Sequence, residues 1–200
     1  MERFGFGEPV DVLESRSIKP LWPSYWAKST TATIAYGYGL SITPIHLAAA
    51  YASLVNGGYK VEPTILRRDV SDYDRPSILN AETSAKMREM LRLNVEEGSG
   101  RQAKIEGYPI GGKTGTSLKI KGGKYIKNKV YAAFAACFPA DDPRFVLVVI
   151  MDEPQPDNID EILAGNTVVP VAAEMIMRLS PILGIRPSKN DGILHVASLQ

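Results

Sequence analysis

The sequence predicts an α/β fold of the α+β type, an antiparallel sheet flanked by helices, on three observations. Helical patterns come first and an apolar helix closes the chain. The stretch between them reads as strands. Its two clearest strands are joined by a turn too short for a parallel crossover, which makes them an antiparallel hairpin. With 200 residues, 44% apolar and 22% charged, the chain can bury one core and is too short for two complete domains.

Residues 1–40 are rich in Gly, Pro and aromatics, with Trp22, Pro23, Tyr25 and Trp26 close together, and read as an irregular segment after a short helical start. Ser41-Ile42-Thr43-Pro44 is a strong helix start, a hydroxyl cap followed by proline in the first turn. That helix should run to about Asn56, where Asn56-Gly57-Gly58 stops it. Residues 61–70 look strand-like and 72–76 form a turn. A second helix runs from Asn80 to about Glu97: Asn80 can cap it, Met87, Leu91 and Val95 recur at helical spacing, and Gly98-Ser99-Gly100 ends it. From Pro109 the pattern changes to strands at 109–118, 130–138 and 145–152, with the turn 139–143 between the last two. The Lys- and Gly-rich stretch 119–129 is a loop or hairpin arm, 167–183 is the closing helix, and 188–200 reads as a flexible tail.

Composition narrows the function classes. With 23 basic and 22 acidic residues the net charge is +1, so no global field draws the chain to nucleic acid or lipid. No run approaches a membrane span, and the N-terminus lacks the apolar core of a signal peptide. His46 and His195 are too few and too far apart to suggest a metal site, no cofactor motif survives scrutiny, and His46 reads as structural. Cys137 lies in an apolar run and reads as a small buried hydrophobe.

The chemistry concentrates in "GYPIGGKTGTS", residues 107–117, which fits two incompatible patterns. From Gly107 to Thr114 it satisfies G-x-x-x-x-G-K-[ST], the phosphate-cradling P-loop, and residues 145–153 resemble an apolar strand ending in Mg²⁺-binding carboxylates. From Lys113 to Gly115 it is the K-T-G element of serine acyl-transfer enzymes. A P-loop needs a strand feeding the glycines, a helix starting at Lys-[ST], and parallel strands joined by long crossovers. Residues 102–106 are not a buried strand, Gly115, Gly122 and Gly123 oppose a helix, and the following strands form a hairpin. K-T-G asks instead for an extended strand lining a cleft. Gly111, Gly112 and Gly115 permit close approach by another backbone or ligand. Lys113 would supply positive potential, Thr114 a hydroxyl for a substrate carboxylate, and the Thr116 backbone N–H one oxyanion-hole donor. Gly115 and Ser117 complete the substrate-binding stretch, whereas Ser117 and Ser41 have no lysine or histidine at a motif spacing and are not nucleophiles.

Four ordered blocks extend this beyond a triplet: "YGYGLSITPIHLAAAYASLVNGG" at 36–58, "EEGSGRQAKIEGYPIGGKTGTS" at 96–117, "FAACFPADDPRFVLVVIMDEPQ" at 134–155 and "GNTVVPVAAEMI" at 165–176. Over residues 1–187 the chain resembles the C-terminal part of the transpeptidase domain of class B penicillin-binding proteins, and is more similar to the division-specific (septal) type than to the elongation type. The resemblance implies a β-lactamase-like transpeptidase fold, with no cofactor or metal. It also implies a serine acyl-transferase that cross-links peptidoglycan stem peptides through an acyl-enzyme that β-lactams mimic. Its setting would be the periplasmic face of the bacterial inner membrane, with division-complex proteins as partners.

The resemblance also implies S-x-x-K and S-x-N ahead of K-T-G. No serine here has lysine three residues later, and the S-x-N match Ser188-Lys189-Asn190 lies on the wrong side of K-T-G. The expectation is therefore a fragment whose nucleophile, base and membrane anchor lie upstream. It should be inactive alone and prone to self-association through the face its missing half would cover. The alternatives are a non-catalytic binding or scaffold domain of the same fold, an elongation-type transpeptidase, and a β-lactamase or β-lactam sensor.

Overall fold

A computed structural model of the chain describes residues 1–10, 12, 19–67, 69, 75–158 and 161–188. The expected short helical start is a single 3-10 turn, Glu2–Phe4. The first α-helix, α1 (Lys28–Ala35), falls inside the stretch expected to be irregular. Its serine and threonines show no apolar stripe, none of its residues is buried, and only the Ala27 N–H donating to Thr30 Oγ1 at 3.1 Å marks its start.

Helices α2 (Pro44–Val55) and α3 (Ala81–Glu96) begin where their caps dictate. Thr43 Oγ1 accepts from the His46 N–H at 3.4 Å with Pro44 at the first turn, and Asn80 Oδ1 accepts from the Thr83 N–H at 2.7 Å. His46 is buried and structural: its Nδ1 meets Thr43 Oγ1 at 2.6 Å and its Nε2 meets the Glu8 carbonyl at 2.9 Å. The strand expected at 61–70 does not form among its described residues, 61–67 and 69. Pro63 lacks the donor a ladder needs, and the Val61 N–H is taken by Ser53 Oγ on α2 at 2.9 Å. A lone antiparallel bridge, Tyr59 to Ser77, joins the ends of this segment. Of the turn expected at 72–76, residues 72–74 lie outside the described residues.

The sheet is a meander in the order β1-β2-β3, with β1 at Gly111–Lys121, β2 at Lys124–Phe138 and β3 at Phe145–Asp152. Both pairings are antiparallel, Lys113 facing Ala135 and Ala135 facing Val148. The 119–129 stretch is hairpin arm, paired almost to its tip, where Gly122 and Gly123 take positive φ values of 58° and 75°. β1 starts at Gly111 rather than Pro109, whose carbonyl accepts from the Ala140 N–H at 2.7 Å. Helix α4 (Ala164–Ile182) starts three residues before the expected 167. The Ser188 N–H donates to the Gly107 carbonyl at 2.7 Å, so the chain is tied down as far as Ser188. The rest of the expected tail, 189–200, lies outside the described residues.

Strand alternation divides β2 between two apolar layers. Ala132, Phe134, Ala136 and Phe138 join Val168, Val169, Ala172 and Ile176 of α4 in the larger cluster. Cys137 joins Val55 of α2 and Leu91 of α3 in the smaller one. The sheet is thus covered by α4 on one face and by α2 and α3 on the other, as expected of an antiparallel sheet flanked by helices. Among the described residues no helix is long and apolar enough to cross a membrane.

Candidate active site

β1 pairs with β2 on one side only, so among the described residues its other edge carries no strand. Which backbone groups face that edge follows from three contacts. Asn94 Nδ2 donates to the Gly112 carbonyl at 2.7 Å, Lys113 Nζ to the Thr114 carbonyl at 2.9 Å, and the Leu118 N–H reaches Tyr38 Oη at 3.5 Å, the outer limit of a hydrogen bond. In an antiparallel strand the N–H and C=O of one residue point to the same side, and sides alternate. The backbone groups of Gly112, Thr114, Thr116 and Leu118 therefore face the unpaired edge. The N–H groups of Thr114 and Thr116 find no acceptor there among the described residues. Tyr38 closes the far end, held by Tyr125 in an edge-to-face contact with centroids 5.8 Å apart.

The side chains expected to act together divide by face. A Cβ on Gly111 would meet Leu91 and Cys137 on the α3 side, and one on Gly112 would meet Phe134 on the α4 side. Lys113, Gly115 and Ser117 thus share the first face, and Thr114 and Thr116 the second. Lys113 is exposed, and no carboxylate among the described residues pairs with it. Gly115 is open, its nearest neighbour to an added Cβ being Ala133 Cβ at 4.0 Å, as close approach by a ligand requires. Gly111 and Gly112 are spent on packing instead. A Cβ on Gly112 would lie 2.4 Å from Phe134 Cζ, so this glycine admits a ring, correcting its expected role as a strand-edge opening. Gly107, the first glycine of the P-loop pattern, lies in a turn with φ of 80°.

Both threonine hydroxyls already have partners. Thr116 Oγ1 accepts from the Ala164 N–H at 3.0 Å and so caps α4, whose own N-cap residue, Leu163, has no side chain able to do so. Thr114 Oγ1 lies 2.6 Å from Ser99 Oγ, and Ser99 Oγ donates to Asn94 Oδ1 at 3.1 Å. Asn94, Ser99 and Tyr38 were not singled out from sequence. Ser99 sits in a Gly-Ser-Gly run that signals only a helix end, and nothing local marks Asn94 or Tyr38 as strand neighbours.

The carboxylates that lent weight to a nucleotide site are committed elsewhere. Lys119 Nζ bonds Asp152 Oδ1 and Glu153 Oε1, both at 2.8 Å, and Lys129 Nζ bonds Glu153 Oε2 at 2.8 Å. Hydrogen bonds from Lys119 and then Lys129 hold the Glu153 carboxyl down at about 2. The strands are antiparallel, no helix begins at Lys113-Thr114, and a 3-10 turn, Arg101–Ala103, stands where a P-loop needs its strand. The free edge, a lysine without a carboxylate partner among the described residues and an outward N–H together suit an extended, negatively charged acyl substrate.

The chain matches the family described as Penicillin binding protein transpeptidase domain over residues 1–176. It is 37% identical to Stage V sporulation protein D of Bacillus subtilis over 94% of this chain and 31% of that one. It is 34% identical to the probable peptidoglycan D,D-transpeptidase FtsI of Caulobacter vibrioides over 91% of this chain and 33% of that one. The chain thus spans about a third of the length of the curated relatives it matches. Among solved structures it is similar to the transpeptidase domain of Burkholderia pseudomallei penicillin-binding protein 3, with a TM-score of 0.84 and 29% identity, covering 93% of this chain and 56% of that one. It is also similar to penicillin-binding protein 3 of Mycobacterium tuberculosis complexed with ampicillin, with a TM-score of 0.82 and 27% identity, covering 96% and 46%. With the K-T-G strand at a sheet edge and nearly nine-tenths of its residues within the family match, this chain belongs to the penicillin-binding protein transpeptidase domain family.

Proposed function

We propose that the chain, as residues 1–187 of the C-terminal portion of a transpeptidase domain, forms the K-T-G wall of the acyl-transfer cleft in a serine peptidoglycan D,D-transpeptidase. The observation that carries this reading is the unpaired edge of β1, where the Thr116 N–H faces outward and the exposed Lys113 pairs with no carboxylate among the described residues. In this reading a stem peptide or a β-lactam lies along the edge beside open Gly115 and Ser117. The Thr116 N–H donates to the oxyanion, Lys113 supplies positive potential, and Thr114 binds the substrate carboxylate. The nucleophile and its base come from S-x-x-K outside these residues, which contain none. The parent protein would act at the periplasmic face of the inner membrane, in septal wall synthesis with division-complex proteins. The relative named as the probable peptidoglycan D,D-transpeptidase FtsI supports the septal assignment.

Incubation with a fluorescent penicillin tests the reading. The full-length protein should become covalently labelled and the 200-residue chain should not. Labelling of the short chain would overturn the absence of a nucleophile, and an unlabelled full-length protein would overturn the enzyme. The missing S-x-x-K also favours a second reading, a non-catalytic scaffold of the same fold, which a full-length sequence carrying S-x-x-K and then S-x-N would exclude. Exposed Leu21, Tyr25, Trp26 and Tyr36, at 71, 78, 47 and 66%, support self-association of the isolated chain. Light scattering at high concentration should show oligomers, and a clean monomer would count against it.

A further inference from the structure

We infer that Ser99 and Asn94 form a positioning relay behind the K-T-G strand that sets which way the Thr114 hydroxyl proton points. The inference rests on the transpeptidase reading and assigns residues of the same site that neither the motif nor the family match singles out. Its starting point is the Asn94 amide. Asn94 Nδ2 faces the Gly112 carbonyl at 2.7 Å, a position only the NH₂ can satisfy, so Oδ1 faces Ser99. Ser99 has one hydroxyl proton. Donated to Asn94 Oδ1 at 3.1 Å, it leaves Ser99 Oγ only lone pairs for Thr114, 2.6 Å away. In the structure, therefore, Thr114 donates to Ser99 and Ser99 to Asn94.

The backbone around the relay is built to hold it. The Gly98 and Gly100 N–H groups both donate to the Asn94 carbonyl, at 3.0 and 3.1 Å, wrapping the Gly-Ser-Gly turn around the end of α3. Any side chain beside Ser99 would strike the amide: a Cβ on Gly98 would lie 2.5 Å from Asn94 Oδ1, and one on Gly100 2.9 Å from Asn94 Nδ2. From the far side, a Cβ on Gly165 at the start of α4 would lie 2.9 Å from the Ser99 carbonyl. The turn is therefore fixed by α3, by the Gly112 carbonyl of β1 and by the start of α4.

A substrate carboxylate is acceptor-only and needs the Thr114 proton that otherwise goes to Ser99. Its arrival turns the chain over. Thr114 rotates its O–H to the carboxylate, and Ser99 rotates its O–H from Asn94 Oδ1 to Thr114 Oγ1. No covalent bond changes and no proton leaves its oxygen. The only bond given up is the longer one, Ser99 to Asn94, and in exchange Thr114 donates to an anion while accepting from Ser99, which strengthens it as a donor. Without the Ser99 hydroxyl, Thr114 loses both its orienting acceptor and its later donor.

The test is acylation of the full-length protein by a penicillin and by the methyl ester of the same penicillin, which lacks the charged carboxylate. The penicillin should acylate Ser99→Ala about tenfold more slowly than wild type, through weaker initial binding rather than a slower limiting rate, and Ser99→Thr should restore the rate. The slower reaction with the ester should be unchanged by Ser99→Ala. Equal rates for wild type and Ser99→Ala with the penicillin would overturn the relay alone, as would equal losses with penicillin and ester, the mark of a merely structural serine. Should Ser99→Ala fail to fold, Ser99→Thr and Asn94→Asp carry the test. Asn94→Asp loses the bond to Gly112 with either substrate, but its carboxylate also holds the Ser99 proton more firmly, so it should impair the penicillin reaction more than the ester reaction, and equal losses would overturn the relay. A wild-type protein that the penicillin does not acylate would overturn the transpeptidase reading and this inference with it.

Discussion

Thr116 Oγ1 accepts a hydrogen bond from the Ala164 N–H at 3.0 Å, so the strand that carries K-T-G also supplies the missing cap of α4. The contact ties the candidate cleft to the helix that covers the larger core. Ala164 is 1% exposed, and its N–H has no other acceptor within reach of a side chain at Leu163. Replacing Thr116 by Val keeps the shape and the backbone N–H but strands a buried donor. Thr116→Val should lower stability to urea by about 1–2 kcal/mol. Thr116→Ser, which keeps the acceptor, should lose less than half of that.

Gly112 is the most tightly enclosed glycine of β1. An added methyl would lie 2.4 Å from Phe134 Cζ, and that ring is fully buried between the sheet and α4. Gly112→Ala should destabilise the fold by about 1–3 kcal/mol in chemical denaturation, through displacement of a ring that has nowhere to go. Gly115→Ala, on the same strand with open space around it, should be nearly neutral for stability.

Cys137 is fully buried between α2, α3 and the sheet, and burial pushes its thiol up to about 11. The thiolate, not the thiol, reacts with alkylating agents. Native protein at about pH 8 should therefore resist maleimide modification, and the same protein in denaturant should react stoichiometrically. Mass spectrometry distinguishes the two.

Glu153 gives a pH dependence whose sign is fixed by its partners. Its folded value, about 2, lies below the ordinary 4.5, so the pairing with Lys119 and Lys129 adds stability at pH values above 4.5 that is lost as pH falls towards 2. The fall in melting temperature across that window should be shallower in Glu153→Gln than in wild type. Added salt should narrow the difference, because these groups are solvent-accessible.

Local chemistry was legible in the sequence and long-range chemistry was not. Asn80 and Thr43 announce helix starts because a cap acts on its own next turn, and 145–152 reads as a strand from its apolar run. α1 could not be read because its serine and threonines bury nothing and so leave no periodicity. Residues 61–70 misled because apolar and β-branched composition was weighed without Pro63 and without the Ser53 hydroxyl that takes the Val61 N–H. At the site, Lys113-Thr114-Gly115-Thr116 was found as a motif, but the partners of its hydroxyls, Ser99 and Ala164, come from other elements. Gly112 looked like ligand space because the ring that fills it, Phe134, arrives from the next strand.

The bare flank of β1 has a cost as well as a use. Unpaired backbone hydrogen-bonding groups will accept any extended chain, including the same flank of a neighbouring molecule, which is how ordered aggregates begin. Lys113, Lys121 and Lys124 are all exposed along that hairpin, so two such flanks brought together would set positive charge against positive charge. The lysine that recommends this strand to an anionic guest is, on the same electrostatics, what keeps it from recruiting its own kind.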